Sequence, residues 1–305
     1  MEIGNFAGGV NKRIFEIEKS CAGLILSGTF TASSSHLMSE TDVLNTILGR
    51  FGSTRIEVTL VPKRGKTKYI YEPIPLTSLF EFISANEGAV IFKEVTLLTG
   101  TELHSSTYEF NIFIPFTETG FLPLQQDEII NVTFDSNSAN SVGFTVSALE
   151  SPVASNKYVT VQSLSMGQGV LNKTFDVKEF ETILIPFDAM TASAVFRLNY
   201  TNGESPVISK DEFKGIGNHT NEMLYRMGKV VLSGFGNYAQ LDVSAVDNIE
   251  IRRTSVTAFE MVVFDKDYHA NMNLAESVNA RLRNVSKQAR LQKSIATFGN
   301  IKMRG

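Results

Sequence analysis

RIEVTLVPKRGKTKYIYEPIPLTSLFEFI, residues 55–83, reads as strand, turn, strand and short helix. Ile56, Val58 and Leu60 alternate with Arg55, Glu57 and Thr59, the period-two pattern of a strand with one buried face. PKRGKT supplies a turn before KYIYE. After the prolines, Leu76, Leu79, Phe80 and Ile83 return at helical spacing and occupy one face. A second candidate helix, SETDVLNTILG (39–49), has Ser39 as N-cap, Asp42 three residues on and Gly49 as a stop. TNEMLYRMG (220–228) is a third, short one. A parallel α/β sheet needs a crossover between each pair of strands, and these helices do not recur at that spacing. The chain is therefore read as all-β with small inserted helices.

Outward from this stretch, β-branched and aromatic runs are broken by Gly, Asn, Asp, Ser and Pro. In the first half they predict strands near 11–19, 22–31, 54–61, 67–72, 89–98, 106–116, 127–134 and 142–149. After the polar break ESPVASN (150–156), strands follow near 157–164, 169–177, 180–187, 194–201, 229–235, 238–243, 247–253 and 256–264. The division drawn from this is an N-terminal arm and first strand over 1–20, a first sandwich over 21–152 and a second over 153–268. A basic C-terminal helix and tail then occupy 269–305. The frame Ile-x-Ile-Pro-Phe occurs twice, in NIFIPF (111–116) and TILIPF (182–187). Proline donates nothing to a sheet ladder, so both copies are read as convergent strand endings and not as a ligand motif.

The chain has 305 residues, 43% hydrophobic and 20% charged, which describes an ordinary globular composition. Its single cysteine, Cys21, excludes an internal disulfide framework. The opening residues do not read as a signal peptide, and no apolar run reaches bilayer-spanning length. Synthesis in a cytoplasm without membrane insertion is the expectation. Charge is unevenly spread. Between Glu276 and Gly305 seven basic residues face one acid, a net of plus six; since the whole chain stands at −4, the remainder carries minus ten. Leu274, Val278, Leu282, Val285 and Ala289 form one helical stripe, with Arg283, Lys287 and Arg290 on the opposite side. This helix either docks on the sheets with a solvated face or turns its basic face to a membrane surface or nucleic acid. The narrow stripe without aromatics argues against deep insertion into lipid.

Catalytic signatures do not emerge. His36, His104, His219 and His269 stand in unrelated contexts, and HExxH, GxSxG and Walker patterns are absent. Cys21 beside GLIL reads as a small buried hydrophobe. KVVLSGFGNYA places Gly234, Gly236 and Ala239 in a dinucleotide-like spacing. That chemistry requires a helix to start there, whereas QLDVSAVDNIEIRR predicts strand, turn, strand. Calcium stays open at two oxygen-rich stretches, Asp135/Asn137/Asn140 and Asp265/Asp267/His269, although the EF-hand pattern breaks at Ala139. No catalytic, cofactor or metal residue is assigned.

Two consecutive eight-stranded sandwiches with inserted helices and a basic terminal helix resemble a known family. RIEVTLVPKRGKTKYIYEPIPLTSLFEFI and NIEIRRTSVTAFEMVVFDKDY (248–268) carry the resemblance. It is to the double jelly-roll major capsid proteins of tailless, lipid-containing icosahedral phages, of the corticovirus and finnlakevirus kind. The resemblance implies two upright jelly rolls per subunit and a homotrimer that tiles a shell over an internal membrane. It also implies minor capsid or penton proteins as partners and a virion location. Arg281, Arg283, Lys287, Arg290 and Lys293 would then make interior or membrane-facing contacts, without sequence-specific nucleic-acid binding. The alternatives are a β-sandwich receptor- or carbohydrate-binding or spike protein, and a sandwich-fold glycosidase with two carboxylates across a cleft.

Overall fold

The computed structural model describes residues 1–34, 46–47, 49–86, 92–99, 104–117, 120–155, 157–186, 195–209, 211–212, 215, 238–254 and 258–268. Seventeen strands occur among them. In the first half these are β1 (Glu2–Phe6), β2 (Asn11–Ile17), β3 (Gly23–Ser34), β4 (Thr54–Val61), β5 (Lys68–Pro75), β6 (Phe92–Thr99), β7 (His104–Pro115), β8 (Ile129–Ser136) and β9 (Phe144–Leu149). The second half supplies β10 (Lys157–Met166), β11 (Asn172–Asp176), β12 (Thr182–Pro186), β13 (Val195–Tyr200) and β14 (Val207–Ile208). It closes with β15 (Tyr238–Asp242), β16 (Val246–Arg252) and β17 (Phe259–Tyr268).

A jelly roll is a long antiparallel hairpin of eight strands wrapped into two sheets, so strand one pairs with eight, two with seven, three with six and four with five. The first half obeys this pairing: β1 with β9, β2 with β8, β3 with β7 and β4 with β5. Rolling adds β3 to β9 and β4 to β8. Strand β6 is an addition, laid along the free edge of β7. The second half repeats the scheme: β10 with β17, β11 with β16, β12 with β15 and β13 with β14. Here the closing pairs are β12 with β17 and β13 with β16. Both halves are jelly rolls.

The differences from the sequence reading have local causes. Residues 1–20 carry two strands of the first roll and not an arm with one strand. Strand β1, EIGNF, lacks clean alternation because a bulge between Glu2 and Gly4 shifts its register against β9. Strand β14 is two residues long and too short to show a period. The predicted strand 229–235, the helix 220–228 and the terminal segment 269–305 lie outside the described residues. Of the predicted helix 39–49, residues 46, 47 and 49 are described and helical. The helix Leu76–Asn86 buries Leu76, Leu79, Phe80 and Ile83, the face that the spacing selects.

The two rolls share a sheet. Strands run β15-β12-β17-β10-β5-β4-β8-β2 without interruption, and β5 meets β10 in one parallel pair, Tyr71 opposite Val161. Paired residues point the same way, so the face that is interior to the first roll continues as the exterior face of the second. The cores confirm this geometry. Val161, Leu184, Val262 and Phe264 pack with the first roll's core, whereas Ile183, Ile185, Met261 and Val263 pack with the second's. Strands β12 and β17 are thus buried on both faces, which explains why ILI (183–185) and MVVF (261–264) do not alternate. The other sheet of each roll lies on opposite sides of this common one.

Each interior is filled. In the first roll Phe30, Phe51, Phe80 and Phe110 meet edge-on or tilted at centroid distances of 5.2–6.4 Å, and Phe6, Phe134 and Phe144 form a second group at 4.9–5.8 Å. Gly28 stands beneath the Phe110 ring, where a Cβ would come within 2.9 Å of it. The second interior is aliphatic with Phe175 and Phe196.

Candidate assembly surfaces

The side chains with chemical potential are scattered. Cys21 is 1% exposed, and burial pushes its thiol up to about 12, away from the thiolate that a nucleophile needs. His104 opens β7, while His36, His219 and His269 lie outside the described residues. Asp135 lies 3.9 Å from Lys12, and the following stretch closes on itself as Asn140 N donates to Ser138 Oγ and Ser141 N to the Ser138 carbonyl. Asp265 sits on β17 opposite Thr160. Among the described residues no group of three His, Cys, Asp or Glu gathers to hold a metal. Gly234 and Gly236 lie outside the described residues; Ala239 belongs to β15, and a turn and β16 follow it. Arg281, Arg283, Lys287, Arg290 and Lys293 lie outside the described residues. No described helix is long and apolar enough to cross a membrane.

What the structure assembles is a polar cluster at the seam between the rolls. Arg55 of β4 donates from Nη1 to Glu260 Oε2 at 2.9 Å and from Nη2 to Glu260 Oε1 at 2.6 Å, and Nη2 also reaches the Pro73 carbonyl. Ser163 of β10 donates from Oγ to Glu260 Oε1 at 2.5 Å and from its backbone N–H to Glu72 Oε2 at 3.2 Å. Strands β4 and β10 thus both reach the Glu260 carboxylate on β17, and β5 joins the cluster through the Pro73 carbonyl and the Glu72 carboxylate. The guanidinium fork matches that carboxylate with two parallel bonds. Sequence reasoning missed the cluster because Arg55 and Glu260 are 205 positions apart and each looks locally like an ordinary outward-facing strand residue. Nearby, Tyr71 donates its hydroxyl to the Pro115 carbonyl, at the proline that ends NIFIP. The two Ile-Pro-Phe frames close β7 and β12, which are the sixth and third strands of their rolls. They are not equivalent positions of a repeat.

A second junction lies in the link between the rolls. Phe121 and Ala154 form a bridge, with Phe121 N–H donating to the Val153 carbonyl and Ser155 N–H to the Phe121 carbonyl. Gly120 makes this approach possible. Its φ is +81°, and a Cβ there would lie 2.2 Å from the Val153 oxygen.

The outer sheet faces differ in charge. The outer face of the first roll's β2-β8-β4-β5 layer carries Lys12, Asp135, Arg55 and Glu57, and that of the second roll's β11-β16-β13-β14 layer carries a chain of Arg197, Glu250 and Arg252 with contacts of 3.0 and 2.5 Å. The outer face of β3, β7 and β9 instead carries mostly hydroxyl and amide side chains, with Ile25, Phe113 and Leu149 at one end. Thr31 and Thr107 pair their hydroxyls at 3.3 Å, and Ser33 donates to Ser105 at 3.5 Å. Thr145 donates to Asn5 Oδ1 at 2.7 Å. Glu109 is the one carboxylate on the outward positions of these three strands. A cleft of about 360 Å³, lined in part by Thr31, Ser33, Arg50 and Asn140, opens at the rim of this face.

No family model and no curated protein matches the chain. Among solved structures it is similar to the major capsid protein P2 of bacteriophage PM2, at 11% identity and a TM-score of 0.43, over 87% of this chain and 95% of that one. The major capsid protein of mavirus gives 8% identity and a TM-score of 0.35, over 88% and 86%. Oxalate decarboxylase of Bacillus subtilis, a protein with Mn(II) centres, gives 7% identity and a TM-score of 0.21, over 88% and 77%.

Proposed function

We propose that this chain is a major capsid protein, a structural subunit that trimerises and tiles an icosahedral shell over an internal membrane. The observation that carries the reading is the fusion of two jelly rolls along one continuous sheet, with both interiors filled by apolar side chains. Such filled rolls have their outer faces and ends to offer, and jelly rolls are a recurrent shell-building architecture. The sequence resemblance supports the same reading. In this proposal the rolls stand side by side as upright barrels, with residues 150–156 as their junction. The basic segment 269–305 lies on the inner side. Arg281, Arg283, Lys287, Arg290 and Lys293 face anionic headgroups there, and penton or minor capsid proteins fill the vertices. The test is to purify the chain and measure its mass by sedimentation and light scattering across concentration, with electron microscopy of any particles. Trimers or larger closed assemblies are expected. A strict monomer at all concentrations and salt conditions would end the proposal.

A further inference from the structure

We infer that the cleft at the free edge of β3 is a binding site for an acidic saccharide, a sugar that carries a carboxylate. The site goes beyond shell building, and only its outward placement rests on the capsid reading. Strand β9 covers β3 no further than Ser27. Ala148 exchanges bonds with Met1, so its neighbours in the alternation, Thr145 and Ser147, bond to Ser27 and Ile25 of β3. The same alternation turns the backbone N–H and C=O of Thr29, Thr31 and Ser33 to that edge, where no described strand meets them. Arg50 and Asn140 flank the lane that β9 leaves open, and the lane forms the cleft of about 360 Å³, within the size range of small-ligand sites. Arg50 is half-buried and uses one N–H on the Asn140 carbonyl at 3.0 Å. No described carboxylate pairs with it or lines the cleft.

These groups select the ligand. A guanidinium with spare donors takes a carboxylate through two parallel bonds. An open strand edge presents carbonyls beside its amides, and sugar hydroxyls satisfy both, whereas a bare oxyanion would be set against the carbonyls. No described aromatic or large apolar side chain lines the cleft, so it offers little to a hydrophobic ligand. Position gives the site a use. Strand β3 starts beside Leu149 and the link between the rolls and reaches Ser33 after ten steps, about 34 Å away. Tyr268 pairs with Lys157 at the link end. With 269–305 on the inner side, as proposed for the shell, the cleft opens at the particle exterior.

The experiment titrates the chain calorimetrically with glucuronate, N-acetylneuraminate and oligogalacturonate, with glucose and inorganic phosphate as comparisons. At least one acidic saccharide is expected to saturate a single site per chain and to bind about tenfold or more tightly than either comparison. Arg50→Gln should weaken that binding about tenfold or more with an unchanged circular dichroism spectrum. Lys178→Gln, the same charge change at an exposed turn of the second roll, should leave it unaltered. Asn140→Asp keeps the backbone carbonyl that Arg50 holds and sets a carboxylate at the cleft. It serves if Arg50→Gln fails to fold, with the same expected loss. Hydrogen exchange adds a positional readout, since amides within 29–33 should slow on binding. No saturation by any of the three saccharides, equal binding of glucose or phosphate, or unaltered binding by the cleft variants would overturn the inference. Tighter binding of an acidic peptide would assign the cleft to a protein segment and overturn it too. Saturable binding by a chain that never assembles would keep the site and end the capsid reading. Assembled particles that no longer bind would overturn the outward placement alone.

Discussion

Tyr71 joins three features: it lies on the seam strand β5, its ring meets Phe116 edge-on at 6.2 Å, and its hydroxyl donates to the Pro115 carbonyl. Replacing it by Phe keeps the ring and leaves a buried carbonyl short of that donor. The expected loss is about 1–3 kcal/mol in a denaturant titration, and an unchanged midpoint would show that the bond contributes nothing. Cys21 makes a prediction with a pH signature. Its folded thiol stays protonated up to about 12, above the unfolded value, so its contribution to stability is complete below the unfolded value. Stability should fall as pH rises from about 9 toward 12, and Cys21→Ala should flatten that part of the profile. Thiol-reagent titration of the native chain should be slow at neutral pH and fast after unfolding. The burial of Cys21 was legible from its apolar neighbours. Tyr71 was not singled out, because its partner is supplied by a strand 44 positions away.

At the scale of elements, the strands whose apolar residues alternate were readable, as β4 and β8 illustrate: each buries its apolar row, while the other row is half-buried apart from the covered Thr59 and Thr133 and the exposed Asp135. The strands buried on both faces, β12 and β17, were found by apolar content but gave no clue to which neighbour covered the second face. Burial of a second face is a property of the tertiary arrangement and leaves no periodicity to read. The seam shows the same limit. Strand β5 meets β10 in a single parallel pair, with the Val159 N–H bonded to the Phe116 carbonyl beside it, so side chains share in the connection. Arg55 and Glu260 are partly exposed, at 39% and 24% for their side chains, which places their coupling near the upper end of the range for solvent-screened pairs, about 1 kcal/mol. A double-mutant cycle with Arg55→Ala and Glu260→Ala should return that coupling, and it should shrink in high salt. Strict additivity of the two single changes would remove the cluster from the account of the seam.

For the whole molecule, two-roll architecture was visible from strand rhythm and the polar break at 150–156, whereas the sharing of one sheet was not, since it depends on a parallel contact between strands 90 positions apart. The basic tail was the clearest functional signal in the sequence. Under the proposed function, changing Arg283, Lys287 and Arg290 to Glu should abolish salt-sensitive binding to anionic vesicles, each basic residue contributing about 1 kcal/mol at such a surface. Vesicle binding that survives the triple change would separate the tail from lipid.

The common sheet also bears on dissection of the chain. A cut within 150–156 severs the covalent link but leaves β5 without β10 on one fragment, and on the other exposes Leu184, Val262 and Phe264 to water. Neither fragment is then a self-sufficient unit, although each contains every strand of its own roll. Produced separately, the two pieces should aggregate or dimerise through those uncovered strands; produced together, they should find each other and restore a soluble complex. Split-reporter complementation in cells would register that recovery, and soluble, monomeric fragments would show that the rolls are independent after all.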